Sequence, residues 1–314
     1  MNGQVAIIGT GRLGTRLAEQ LILDRYLERV SLWNRSQPRL RGTIDSLTMW
    51  RDLAEAPTTI EMLNWSTVHT IDLAVIAVKE RYDPRVLIET EDCPDWLPRD
   101  LRYVGLSRDI HVVREVCQRL MGYKGYVVVV TNPVDMLTAL VARWLPSASV
   151  IGSGLSLDER RLARELSKEV GVAPSKLRCT LGGEHGGDLI PIADLWDKVS
   201  QEFATEPKRL KRLLASVNDF GVRVVRDLGF TLQDAALVIA SDIAWLLRSE
   251  TQDPVRSFAI PRGGTAVGRP VKRDAIRVLS PIDLGQADEA LIKERARHIE
   301  KIVACASRDW LKSD

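Results

Sequence analysis

The 314-residue sequence predicts an α/β chain: a doubly wound parallel sheet in residues 1–148, followed by an α+β unit in residues 149–314. Three observations carry this expectation. Short apolar runs at 5–8, 73–78 and 126–130 alternate with segments of helical periodicity, as buried parallel strands do. Glycines follow the first run at once, in the order Gly9-Thr10-Gly11-Arg12-Leu13-Gly14. After residue 150, longer helical patterns are separated by glycine-rich loops and isolated strand patterns.

Taken in order, the run Val5-Ala6-Ile7-Ile8 reads as a strand, and Leu17, Ala18, Leu21 and Ile22 mark the helix after the glycines. The glycines thus sit on a strand-to-helix turn. There the first permits the tight turn, the second lets a pyrophosphate approach the backbone, and the third lets helix and strand pack closely. The helix N-terminus offers N–H groups to the phosphates. Gly9, Gly11, Arg12, Leu13 and Gly14 are therefore candidate dinucleotide contacts, and the first unit is of the Rossmann type. A second strand at 30–33 ends in Asn34-Arg35-Ser36. Sites for NAD usually carry an acid there, bound to the ribose hydroxyls. Asn34 removes the repulsion an acid would exert on a 2′-phosphate, and Arg35 and Ser36 can bind one, so NADP is expected, with NAD also accepted.

A polar helix around 47–53 and a short strand at 60–65 come next, then the strand at 73–78. Residues 79–99 hold three prolines and many charges and read as a long loop of the kind that forms lids. Arg81, Arg85 and Arg99 are its candidate ligand contacts. An amphipathic helix at 109–120 leads to the strand at 126–130, and Thr131-Asn132-Pro133-Val134-Asp135 stands at its carboxyl end. Ligands bind outside that end in open parallel sheets, which adds Thr131 and Asn132 to the cofactor contacts. The link to the second unit is expected at 145–152, around Pro146.

Ser156 and Glu159 have capping-box spacing, so a helix is expected to start there and to stop at Gly171. Asp158 and Arg161 then share a face near its first turn. His185 lies among Gly182, Gly183, Gly186 and Gly187, in a tight loop. An imidazole exchanges a proton near neutral pH, a carboxylate on its other nitrogen fixes its tautomer, and an arginine offers a planar fork to a carboxylate ligand. From these residues alone, an ordinary helix ion pair beside a solitary loop histidine is the alternative. Further on, 207–226 reads as a helix broken or bent at Gly221. The pattern at 235–247 is apolar on most faces, which suits a core or a subunit interface. Strands are expected at 257–260 and 275–279 with a Gly263-Gly264 turn between them, and a closing helix at 289–310.

Net charge is +2 with acids and bases interspersed, which gives no case for nucleic acid or an anionic membrane. Lys208, Arg209, Lys211 and Arg212 are interleaved with leucine and read as the wet face of a helix. The four cysteines show no metal-ligand spacing, so no metal is expected and a reducing, cytoplasmic setting is. The longest apolar runs fall far short of the roughly 20 residues a membrane span needs. The first strand begins too early to leave room for a signal peptide.

In order and at spacing, Gly9 to Gly14, Thr131-Asn132-Pro133-Val134-Asp135, Leu157-Asp158 with Arg161, and Gly183-Glu184-His185-Gly186 resemble the lactate/malate dehydrogenase family over nearly the whole chain. The step from Arg161 to His185, 185 − 161 = 24 residues, is the one that family shows. The resemblance implies an NAD(P)-dependent 2-hydroxy acid dehydrogenase that works as a homodimer or homotetramer. It implies His185 as general acid/base, Asp158 as its orienting carboxylate, Arg161 as the substrate fork, Arg99 as the carbonyl-polarising residue, and Asn132 beside nicotinamide and substrate. Three departures stand out: Gly187 where the family has an acid, with Asp188 one place on; Asn34 at the cofactor acid; and a longer loop without the family's proline-glycine signature. The position of a second, malate-reading arginine falls on Asp92, with Arg81 or Arg85 as substitutes. Oxaloacetate/malate is the first expectation, and a lactate-like or bulkier 2-hydroxy acid the second. A nucleotide-binding member altered past catalysis and an enzyme of a cationic substrate met by Glu89, Glu91 and Asp92 stay open.

Overall fold

The computed structural model describes residues 3–80, 103, 105–228, 233–248, 255–274 and 278–311. The three expected loop contacts Arg81, Arg85 and Arg99 lie outside them, as do Glu89, Glu91 and Asp92.

Six strands, β1 (Gly3–Ile8), β2 (Leu27–Trp33), β3 (Thr59–Met62), β4 (Leu73–Ile76), β5 (Tyr126–Val129) and β6 (Ser149–Gly152), form a parallel sheet in the order β3-β2-β1-β4-β5-β6. Strand order reverses between β1 and β4, which opens a crevice at their carboxyl ends. The unbroken apolar run of β1 follows from burial on both faces: Ala6 and Ile8 enter one core, Val5 and Ile7 the other. Helix α1 (Arg12–Leu23) buries Gly14, Leu17, Ala18, Leu21 and Ile22 on that second core, as its periodicity predicts. Helix α2 (Gln37–Leu53) starts earlier than expected, because Ser36 caps it by accepting from the Arg39 N–H and Pro38 suits its first turn. Helices α3 (Leu106–Arg119) and α4 (Val134–Trp144) cover the other face.

Residues 145–152, expected as a link, contain β6. It pairs in parallel with β5 along its length and meets β9 (Val255–Arg262) at the single bridge Gly152–Ala259, so the sheet continues into the second unit. There β10 (Thr265–Arg273) turns back on β9 through Gly263 and Gly264, both at positive φ, while β7 (Leu181–Gly183), β8 (Leu189–Pro191) and β11 (Leu279–Pro281) complete the antiparallel part. Of the strand expected at 275–279, residues 275–277 lie outside the described residues; the ladder with β9 forms directly after the turn, through Arg269, Pro270 and Lys272, which carry no strand signal of their own.

Helix α5 (Leu155–Val170) ends at Gly171 in the left-handed conformation, as expected, but it has no capping box. Ser156 donates to the Ser257 carbonyl, and Glu159 accepts from the Leu181 N–H and the Ser257 hydroxyl. Both side chains tie the helix to its neighbours instead of closing its first turn. After the short α6 (Lys198–Ala204), α7 (Pro207–Leu228) runs through Gly221 without a break. The glycine serves packing there, since a Cβ would lie 3.1 Å from Arg161 Nη1. Helix α8 (Gln233–Leu247) buries most of its apolar residues within the chain against α1 and α5, with Leu237 left 60% exposed. Helix α9 (Gln286–Leu311) closes the fold. Among the described residues, no helix is long and apolar enough to cross a membrane.

Candidate active site

The glycine turn sits at the carboxyl end of β1. Gly9 has φ +113°, and a Cβ there would stand 2.5 Å from the Ala77 carbonyl oxygen. A Cβ on Gly14 would stand 2.1 Å from the Gly9 carbonyl oxygen, which explains the third glycine as a helix–strand contact. A Cβ on Gly11 would meet nothing within 4 Å. Gly11 is the N-cap of α1 and brings no side chain to it. The turn therefore has the shape of a phosphate cradle: packed behind, open in front, with a helix N-terminus facing the opening. Exposed Arg12 and half-buried Leu13 form the first turn of α1.

At the end of β2, Asn34 donates through Nδ2 to Thr10 Oγ1 (3.0 Å) and accepts from the Ser36 N–H (2.9 Å). It braces the glycine turn against the β2 end. Ser36 accepts from the Arg39 N–H at 3.5 Å, so it serves α2. Arg35 reaches across to Glu80 beyond β4, at 2.7 Å, so it already has an anionic partner. At the end of β5, the buried Thr131 donates its hydroxyl to the Val78 carbonyl (2.8 Å); it shapes the crevice floor and does not present that hydroxyl to a ligand. Asn132 is exposed at the same edge.

Asp158, Arg161 and His185 come together. Asp158 is 1% exposed on the first turns of α5, and its Oδ2 accepts from His185 Nδ1 at 2.8 Å and from the Gly186 N–H at 3.0 Å. A carboxylate only accepts, so Nδ1 carries the proton and Nε2 is left to exchange one. Arg161 Nη1 stands 3.6 Å from Asp158 Oδ1, and its Nη2 lies 3.1 Å from Asp234 Oδ2 on α8. Phe220 lies 5.3 Å from the same guanidinium, ring centroid to Cζ. Gly154, just before α5, makes room for the imidazole: a Cβ there would be 2.6 Å from His185 Cγ.

The dyad sits in a nest of buried acids. Asp135, on the first turn of α4, accepts from the His185 N–H at 3.1 Å. Burial, helped by the nearby Glu184 charge, pushes the Asp135 carboxyl up to about 7. Burial pulls the His185 imidazole down, but the charge and hydrogen bond of Asp158, with Asp135 behind, outweigh it and leave its pKa raised. Glu184 accepts from the Tyr103 hydroxyl at 2.5 Å and faces Arg295 at 3.5 Å, while Asp188 pairs with Arg295 on the outer side. Asp188 thus does not supply the acid that Gly187 lacks; it belongs to the Arg295 group. An imidazole so placed can release or accept a proton at Nε2 near neutral pH.

Sequence reasoning found the dyad and Arg161 but missed Asp135, Asp234, Gly154 and Glu80. Asp135 had a local signal, an acid inside the apolar run 134–141. The others are brought in by tertiary contacts alone. Among the described residues, no group of three or more His, Cys, Asp or Glu side chains is placed to hold a metal.

No family model matches the chain. Over 262 residues it is 23% identical to L-lactate dehydrogenase 2 of Staphylococcus aureus strain JH9, an alignment that covers 79% of this chain and 76% of that protein. The same protein from strain Newman matches equally. The crystal structure of MGS-M5, a lactate dehydrogenase enzyme from a Medee basin deep-sea metagenome library, superposes with a TM-score of 0.82 at 17% identity, over 98% of this chain and 100% of that one. The chain has the lactate dehydrogenase fold. A Rossmann-type sheet followed by an α+β unit is the expected class, and this likeness bears it out. The relatives are named for lactate, whereas the sequence alone put malate first.

Proposed function

We propose that the protein is an NAD(P)-dependent oxidoreductase of the lactate/malate dehydrogenase type, interconverting a small 2-oxo acid and its 2-hydroxy acid. The observation that carries this reading is His185 Nδ1 on the buried Asp158, with Arg161 beside the same carboxylate. Gly9, Gly11, Gly14 and the start of α1 fit a dinucleotide, and Asn132 and the end of β5 fit its nicotinamide half. A bound nicotinamide supplies the hydride. His185 holds the second proton: its imidazolium gives the Nε2 proton to the substrate oxygen in reduction, and Asp158 stabilises the charged ring. Arg161 receives the substrate carboxylate as a bidentate fork. Arg99, with Arg81 and Arg85 as further loop contacts, is proposed to polarise the carbonyl. Residues 1–148 would hold the cofactor and 149–314 the proton-transfer machinery.

Two observations move the substrate from oxaloacetate toward a lactate-like or bulkier monocarboxylate. The relatives are lactate dehydrogenases by name. Asp234 already stands 3.1 Å from Arg161, and its charge opposes a second carboxylate nearby. A cytoplasmic homodimer or homotetramer is part of the same reading. The free, buried Cys117 and Cys179 suit a reducing compartment, and Met49 and Leu53, exposed one turn apart on α2, suit a subunit contact. The test is oxidation of NADH and NADPH with a panel of 2-oxo acids. Turnover of pyruvate-like acids above oxaloacetate is expected. Cofactor binding without turnover of any of them would favour a non-catalytic nucleotide-binding role.

A further inference from the structure

The cofactor crevice holds a carboxylate that the end of β2 lacks. Asn34 stands where an acid would read the ribose hydroxyls, and Arg35 beside it would on its own welcome a 2′-phosphate. Arg35 is not on its own. Its Nη1 lies 2.7 Å from Glu80 Oε1, and Glu115 of α3 adds a second favourable charge to the same guanidinium. Both partners are firmly mounted. The Glu80 N–H donates to Asp109 Oδ1 at 2.8 Å, and Asp109 is fully buried in the first turn of α3. The backbone on either side of Arg35 is fixed by the Ser36 N–H donating to Asn34 Oδ1. β2 and β4 flank β1, so the Arg35–Glu80 pair bridges the two walls of the crevice at the end that carries the glycine turn.

We propose that Glu80 is the cofactor-selecting carboxylate of this chain, supplied from the end of β4, and that it restricts Arg35 so that NADH binds in preference to NADPH. This rests on the reading of the protein as a nicotinamide-dependent enzyme. A ribose 2′-hydroxyl can donate to the Glu80 carboxylate. A 2′-phosphate can only accept, brings up to two negative charges, and must take Arg35 away from its partner. The preference for NADP expected from Asn34, Arg35 and Ser36 assumed an unengaged Arg35; the ion pair reverses its direction.

The test is equilibrium binding of NADH and NADPH, by calorimetry, to the wild type, Glu80→Gln, Arg35→Ala and the double variant. The wild type is expected to bind NADH more tightly. Glu80→Gln should tighten NADPH by about five- to thirty-fold, the range for one charged contact partly exposed to salt, and alter NADH by less than about threefold. The double variant should lose that gain, because Arg35 is what the phosphate would meet. A wild type that prefers NADPH, or a Glu80→Gln variant with an unchanged NADH/NADPH ratio, overturns the proposal while the parent reading stands. Failure of the wild type to bind either cofactor overturns both.

Discussion

At the scale of single residues, the site is a set of cations each set against a carboxylate. His185 has Asp158, Arg161 has Asp158 and Asp234, and Arg35 has Glu80. The pairing with Asp158 raises the pKa of His185 despite burial, which keeps the ring protonated further into the neutral range. His185→Asn removes the transferable proton and should lower turnover by roughly 10²–10⁴-fold, with cofactor affinity unchanged. Steady-state rates beside a binding titration check this, and a variant with near wild-type turnover would remove the dyad from the chemistry. Arg161→Lys replaces a planar fork by a point charge and should weaken 2-oxo acid binding by about 1.5–3 kcal/mol. Asp234→Asn should act in the opposite sense, lowering KM by up to about fivefold, because an exposed ion-pair partner no longer competes for Arg161. An unchanged KM in both variants would place the substrate carboxylate elsewhere.

At the scale of elements, α5 is the piece that everything else registers on. It carries Asp158 and Arg161, and Glu159 fixes it to β7 and β9 through the Leu181 N–H (2.9 Å) and the Ser257 hydroxyl (2.6 Å). Burial pushes the Glu159 carboxyl from its ordinary 4.5 up to about 7. A folded-state value above the unfolded one gives a contribution to stability that is whole below 4.5 and lost as pH rises through about 7. Asp135, ordinarily 3.8 and also near 7, acts in the same direction. The wild type should therefore melt lower at pH 8 than at pH 5. Glu159→Gln keeps an acceptor for both donors and never ionises, so its melting temperature should fall less across the same interval. An equal fall in both proteins would mean that Glu159 does not carry the pH dependence.

At the scale of the whole molecule, one sheet runs from β3 to β8, and the dyad from α5 and the β7–β8 turn is tied to the carboxyl end of the parallel half where the His185 N–H donates to Asp135, just after β5. Most of the apolar surface of α8 is covered inside the chain, Leu237 excepted, so the case for an oligomer rests more on α2. Met49 and Leu53, 61% and 77% exposed, form an apolar step that a monomer would leave in water. Light scattering at micromolar protein should give the mass of a dimer or tetramer, and Leu53→Glu should lower it. A monomeric wild type would leave that step without a subunit to cover it.

By itself the sequence determined β1, β2, β4 and β5 of the parallel half, because strands buried on both faces are apolar and the tight strand-to-helix turn requires glycine at Gly9 and Gly14. It also determined that Asp158 and Arg161 share a face, which follows from helical spacing, and resemblance linked them to His185. It did not reveal β6 or β10: the first, Ser149-Val150-Ile151-Gly152, has only two apolar residues to mark it, and the second holds its place through the ladder with β9 rather than through residue type. Nor did Ser156 and Glu159 behave as their spacing suggested, since buried partners on β7 and β9 outcompeted the local cap. Only the tertiary structure brought in the carboxylates distant in sequence, Asp234 at Arg161 and Glu80 at Arg35. Asp234 is 73 residues from Arg161, and Glu80 lies on the far side of β1 from Arg35. Electrostatic selection depends on distance in space, and sequence spacing carries no record of it beyond a helical turn.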